Sequence, residues 1–350
     1  MKKPDHLFRQ NDYLWDLFTK KEEYGSVRLD QHGRFSSQGS RQKKIDSPEI
    51  SQFLFDQGWV PEYPDNKNFA VCLTHDVDEI YPPWHHIVYS GITSFMKFRL
   101  KECNNQWLWK FKGKESSPYW NFREIMNLER RYNAKSTFYF LATDRDVLRF
   151  RYSLDDLKDE LAYILESGWE IGLHGGYYSY DNYGEIIQEK KRIESLIHTE
   201  IIGYRSHYLR FRVPDTWKVL IKAGFKYDST FGYADMIGFR NGICSPFNPY
   251  DLNEKKELNI LEIQMNCMDT TLFDTSRNYQ EAWKRIKHLI DTVMEYQGVI
   301  TINWHSNTFN CPFKAQREQI YKDILEYCYQ KNAWMTNGSE LFHWWEKNSP

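Results

Sequence analysis

The chain has no Cys-x-x-Cys pair, and its six cysteines, Cys72, Cys103, Cys244, Cys267, Cys311 and Cys328, stand far apart. That spacing excludes a zinc knuckle and reads as free thiols in a reducing compartment, most of them small core hydrophobes. No stretch approaches the roughly 20 apolar residues a membrane span requires, and Met1 to Gln10 holds no apolar run of the kind that marks a secreted chain. The expectation is a cytoplasmic protein with no transmembrane segment. Net charge is nearly absent too, with 46 Lys plus Arg against 48 Asp plus Glu, so no overall field draws the chain to nucleic acid. Repeats and low-complexity tracts are missing. With 41% hydrophobic and 17% aromatic residues in 350, bulk disorder is excluded and one barrel-sized domain, or a main domain with an appendage, is affordable.

What is present has a rhythm. Strand-like runs at 69–75, 135–141, 169–174, 201–206, 225–229, 259–265, 299–305 and 333–336 alternate with amphipathic stripes such as Leu154, Leu157, Leu161 and Ile164, or Trp283, Ile286, Ile290 and Val293. Such alternation predicts an α/β fold, a (β/α) barrel over residues 67–350. Residues 1–66 precede it, with a helix-like Leu14, Trp15, Leu17 and Phe18 and a polar loop through Gly39, and read as an amino-terminal extension or cap. An aromatic insertion interrupts the rhythm at about 79–118. Within it Lys97-Phe98-Arg99-Leu100-Lys101, Trp107, Trp109, Lys110, Lys112 and Lys114 mix basic and aromatic side chains. That mixture suits either a helical excursion packed on the barrel or contact with an anionic glycan or a membrane surface.

The apolar run Phe69 to Leu73 leads straight into Thr74-His75-Asp76-Val77-Asp78. Neighbouring carboxylates at the end of a buried strand repel and are desolvated, so a cation or an acid/base pair is the economical explanation. Other strand ends carry His174, Arg205 with His207, Asp228 and His305. Each alone has an ordinary structural use, as a core histidine, a turn cap or a buried ion pair. In a parallel barrel the loops after the strands share one face, and agreement among so many strand ends is the signal. Asp76-Val-Asp78 also matches an aspartyl-phosphate nucleophile, but the downstream Lys and second acidic pair of that chemistry are missing.

Thr74-His75-Asp76-Val77-Asp78, Gly172-Leu173-His174, Gly203-Tyr204-Arg205-Ser206-His207-Tyr208, Tyr227-Asp228-Ser229 and Trp304-His305 resemble, in order, the five motifs of polysaccharide deacetylases, carbohydrate esterase family four. Ser136 to Phe140 is similar to that family's second strand. Glu22-Glu23 and Asp30-Gln-His-Gly-Arg34-Phe35 resemble the extension of a bacterial subgroup whose first motif is His-Asp-Val-Asp. The resemblance implies a distorted (β/α) barrel of seven or eight parallel strands. It also implies a divalent metal, zinc with cobalt or nickel as substitutes, and removal of an N- or O-acetyl group from a glycan or sugar intermediate of a bacterial surface polysaccharide. By position Asp76 would be the general base, Asp78 and His174 metal ligands, His305 the general acid, Arg205 the holder of Asp76 and Asp228 the partner that orients His305. The backbone N–H of Tyr208 would face the oxyanion; were the barrel a glycan binder instead, Trp304 and the aromatic insertion would offer stacking surfaces.

One address departs from the pattern. Tyr178 stands where that family has a second histidine, and a neutral phenol is a poor zinc ligand near neutral pH. His207, where the family usually has proline, and His75 are the candidates to fill the gap, with Asp78, His174 and His207 the preferred triad. The competing expectation is a catalytically silent glycan-binding barrel.

Overall fold

A computed structural model of the chain describes residues 5–25, 28–42, 44–96, 111–147 and 151–348. β1 (Ala70–Val77) is its longest strand and is buried throughout. It is followed by β2 (Thr137–Leu141), β3 (Glu170–Gly175), β4 (Gly203–Ser206) and β5 (Tyr227–Asp228). A small antiparallel hairpin, β6 (Tyr250–Asp251) with β7 (Lys256–Glu257), lies in the next loop. The last strands are β8 (Leu261–Glu262), β9 (Cys267–Met268), β10 (Val299–Asn303) and β11 (Trp334–Thr336). The main sheet runs β8-β5-β4-β3-β2-β1-β10-β9, all parallel, and curls through 245° as an open barrel. One edge of β1 is shared, with β2 pairing at Thr74–Val77 and β11 at Ala70–Cys72.

The α/β distorted barrel expected from the sequence is therefore the observed fold. Its two end strands, β8 and β9, are joined by residues 263–266 alone, and Phe247 bridges the outer edge of β8 at Glu262. Ile263 N–H bonds the Asp228 carbonyl at 2.9 Å and Asn266 N–H bonds the Thr301 carbonyl at 3.1 Å, so this segment spans the mouth of the arc. The run expected at 259–265 shrinks to β8, and β9 was not anticipated. Strands of two residues carry no periodic signal.

Alternation decides what each strand residue does. Ala70, Cys72, Tyr139, Tyr227 and Val299 meet Leu341 and Trp345 of the helix Gly338–Asn348 in one cluster inside the arc. Their neighbours Val71, Leu73, Phe138, Phe140 and Ile300 face the other way, under the surrounding helices. The interior is tight. A Cβ added at Gly172 would lie 2.4 Å from the Tyr139 ring, and one at Gly203 would lie 2.2 Å from the Tyr227 hydroxyl.

The extension is anchored to this body. Its helix Asp12–Phe18 starts at Asn11, whose side chain accepts from the Leu14 N–H at 3.2 Å, and Leu14, Leu17, Phe18, Ile50 and Leu54 join the outer cluster. Buried Arg240 donates to Glu23 at 3.0 Å, and Lys20 Nζ lies 3.1 Å from the Tyr233 hydroxyl. In the aromatic insertion the helix Trp84–Met96 buries Ile87, Ser90, Gly91 and Ser94. Lys97 to Lys101, Trp107, Trp109 and Lys110 lie outside the described residues, while Lys114 pairs with Asp156 at 2.6 Å. Among the described residues no helix is long and apolar enough to cross a membrane.

Two expected site residues belong to the outer core instead. His75 alternates away from Asp76 and Asp78, with Nδ1 2.7 Å from the Trp304 carbonyl and Nε2 2.8 Å from Glu129 Oε1. Glu129 also accepts from Tyr321 at 2.6 Å, Ser136 at 2.8 Å and the Trp169 indole at 2.6 Å. A side chain committed to this network is not a metal ligand. Trp304 is fully buried with its ring 5.7 Å from that of Tyr321, so no substrate can stack on it. Removing one partner from a buried ionic network costs about 3–5 kcal/mol. Glu129→Ala should lower stability by that order in a urea titration, whereas His75→Gln should leave zinc uptake unchanged by elemental analysis. Loss of zinc in His75→Gln would return it to the ligand set.

Candidate metal centre and active site

Because β1, β3, β4 and β10 run parallel, the residues at their carboxyl ends converge. Asp76 and Asp78 are two apart and share a face. His174 Nε2 lies 3.3 Å from Asp78 Oδ1, His207 Nε2 lies 3.6 Å from the same oxygen, and the two rings meet edge-on with centroids 4.9 Å apart. One atom from each of Asp78, His174 and His207 falls within 4.8 Å of the others. Ligands around a tetrahedral zinc at about 2.0–2.1 Å are separated by roughly 3.3 Å, so this spacing suits an ion.

The polar atoms agree. Asp78 Oδ1 is buried with no hydrogen-bond partner, although two imidazoles point at it. His174 Nδ1 is 3.1 Å from the Arg205 carbonyl, which can only accept, so that nitrogen carries a proton and, in the neutral ring, Nε2 holds the lone pair. Behind His207, Nδ1 is 3.6 Å from Asp146 Oδ1, and Arg151 pairs with Asp146 in turn. A carboxylate oxygen with two borderline nitrogens is a donor set that fits zinc. Burial pushes the Asp78 carboxyl up, yet His207 and His174 hold it well below the usual carboxylate range. Burial lowers His207, whereas in His174 the fields of Asp76 and Asp78 outweigh burial and raise it.

Asp76 is held on the other side. Its Oδ2 accepts from Asn303 Nδ2 at 2.8 Å and lies 3.7 Å from His174 Nε2, and its Oδ1 is 3.4 Å from Arg205 Nη1. Arg205 is wholly buried, donating to Thr74 Oγ1 at 2.9 Å and Ser229 Oγ at 2.8 Å with its guanidinium 4.7 Å over the Tyr139 ring. So fixed, the charge opposite Asp76 cannot swing away.

From the end of β10, His305 places Nε2 3.8 Å from the other Asp78 oxygen, Oδ2. Its orienting partner is not Asp228. His305 Nδ1 lies 2.5 Å from Asp269 Oδ1, and Arg317 stands 3.7 Å from the other Asp269 oxygen. Burial works against the charged ring, but Asp269, then Asp78 and Asp76, raise it to about 9. Asp228 sits in register with Tyr204 and Glu262 and accepts from the Thr230 hydroxyl at 2.6 Å, while Glu262 accepts from the Trp217 indole at 2.8 Å. Alternation turns Asp228 to the outer face, where burial raises both acids. Sequence reasoning missed Asp269, which follows the two-residue β9 directly; its one signal is an acid just after Cys267-Met268.

Tyr178 does not join the centre. It is 46% exposed, with the Arg145 guanidinium 5.3 Å over its ring. Tyr208, by contrast, adjoins the triad. Its ring centroid is 4.7 Å from that of His207 and its backbone is left-handed, φ +61°.

No family model matches the sequence, and no curated protein matches it. Solved structures match the fold. One, a polysaccharide deacetylase by description from Mycobacterium smegmatis, is 17% identical with a TM-score of 0.55, over 83% of this chain and 95% of its own. Another, Puue allantoinase, is 14% identical with a TM-score of 0.55, over 93% and 99%. The fold is thus one that polysaccharide deacetylase structures share, and at these identities the likeness is one of fold alone.

The triad is tested by zinc binding. Wild type dialysed against zinc should retain about one ion per chain, and His174→Ala or His207→Ala should retain far less. Tyr178→Phe should match wild type, and an intact stoichiometry in His207→Ala would remove that ligand.

Proposed function

We propose that the chain is a metal-dependent deacetylase of the carbohydrate esterase family four type. Its substrate, on this reading, is an N- or O-acetylated sugar of a bacterial surface polysaccharide or of its precursor, met in the cytoplasm before export. The observation that carries this reading is the pair flanking the triad. Asp76 is a carboxylate pinned between Arg205 and Asn303, and His305 is an imidazole raised to about 9.

An acetamide carbonyl is a weak electrophile, and a zinc ion held by Asp78, His174 and His207 would polarise it and acidify a water. Asp76 accepts the proton of the attacking water, its oxygens already aimed by Arg205 and Asn303. Charged His305, steadied by Asp269, donates to the departing amine or alkoxide, which would otherwise leave as a very strong base. The Tyr208 N–H serves the oxyanion. Residues 1–66 act as a cap on the barrel at 67–350, and Asp228 keeps only a structural part.

Acetate release from a panel of N- and O-acetylated oligosaccharides, with allantoin as a second amide, tests the assignment. Release should be abolished by chelator and lowered about 10²–10⁴-fold in Asp76→Asn. A wild type that binds neither zinc nor releases acetate would be a silent glycan-binding barrel. The pH profile tests the acid. His305 acts protonated, so activity falls as pH rises through its pKa. Asp269→Asn removes an anion that raises that pKa, so the alkaline limb should move to lower pH, and an unmoved limb would remove His305 from the role.

A further inference from the structure

We propose that the amino-terminal extension completes the active site and that Arg34 is a positioning residue for the turn at Tyr208. The catalytic consequence rests on the hydrolase reading above; the positioning does not. Tyr208 and Leu209, neither of them glycine, are both left-handed, at φ +61° and +53°. Such backbone persists only where its surroundings over-determine it. The surroundings here come from the extension. Arg34 Nη1 donates to the Tyr208 carbonyl at 2.8 Å. Its guanidinium is aimed by Asp30, which accepts from Arg34 Nε at 2.7 Å, from Arg34 N at 2.9 Å and from His32 N at 2.8 Å.

The grip is reciprocal. Arg210, two residues beyond Tyr208, donates through Nε to the His32 carbonyl at 2.8 Å and through Nη1 to the Tyr177 carbonyl at 2.6 Å. Between the two guanidinium groups the His32 ring lies 4.8 Å from the Tyr208 ring, and His32 Nδ1 is 3.2 Å from the Tyr177 hydroxyl. Two arginines thus bind three backbone carbonyls on three segments: the extension, the loop after β3 and the turn after β4. The turn they lock follows His207 immediately and carries the amide that the reaction needs in place. Planar guanidinium suits this task because its rigid fork holds Asp30 through Nε and the Tyr208 carbonyl through Nη1 in one fixed geometry, which the rotatable donors of an ammonium do not impose.

Arg34→Ala and Arg34→Lys, in the full chain, test the clamp by amide hydrogen exchange and by kinetics. In Arg34→Ala exchange over 206–211 should quicken by at least about tenfold while β1 to β3 stay protected. Zinc content should stay near wild type, and kcat for acetate release should fall at least about tenfold with KM changed less than about threefold. Arg34→Lys, which keeps one donor for the Tyr208 carbonyl, should lie between the two in both exchange and kcat and guards against a variant that simply misfolds. Unchanged exchange over 206–211 in both variants overturns the clamp. Quickened exchange with unchanged kcat overturns its catalytic part. Should wild type release no acetate from any substrate, the hydrolase reading fails, and exchange alone then decides whether Arg34 holds the turn.

Discussion

Asp76 and Asp78 stand two residues apart on one face at the end of a buried strand, and the molecule around them supplies each with polar partners. Taking a carboxylate out of water costs several kcal/mol, and a second beside it adds repulsion. The two are relieved differently. Asp76 meets Arg205 and Asn303, which donate hydrogen bonds to its two oxygens. Asp78 meets imidazoles, whose nitrogens can share it with a cation. On the proposed reading, that division separates a base from a ligand within one strand. It also explains why a wholly buried arginine is tolerated: Arg205 is bonded by Thr74 and Ser229 and lies on the Tyr139 ring.

Function here follows position in space more than position along the chain. Tyr178 occupies the address of a histidine in the resembling family, yet it faces solvent under Arg145. His207 approaches Asp78 from the neighbouring strand end and brings an imidazole to within 3.6 Å of its oxygen. On the proposed reading, a ligand absent at one loop is replaced from the next, and the donor set is two nitrogens and one oxygen. The extension adds a further case, since residues 30–34 are remote in sequence from the turn whose carbonyl they hold.

Much of this was legible from residues alone. Long strands with polar ends, β1, β3 and β10, declared the barrel and most of the convergent side chains. Strict alternation along β1 also held the answer for His75, because the residue one position before Asp76 faces the opposite side of the strand, toward the helices. Trp304 next to Asn303 obeys the same parity. Asp228 was harder to place, since β5 has only two residues and its facing is set by pairing with β4 and β8. Asp269 lay beyond reach, at the end of a two-residue strand that closes the arc. His207 stood between these cases: it opens a short turn with left-handed backbone, whose side-chain directions no period describes.

The central claim is that two imidazoles and one carboxylate oxygen jointly face a single cation at the mouth of the barrel. X-ray absorption of the zinc-loaded protein reads that directly, because imidazole ligands leave a multiple-scattering signature distinct from oxygen. The account predicts a first shell of nitrogen and oxygen at about 2.0–2.1 Å that contains two histidines. A shell with one histidine, with none, or with thiolate sulfur would contradict it.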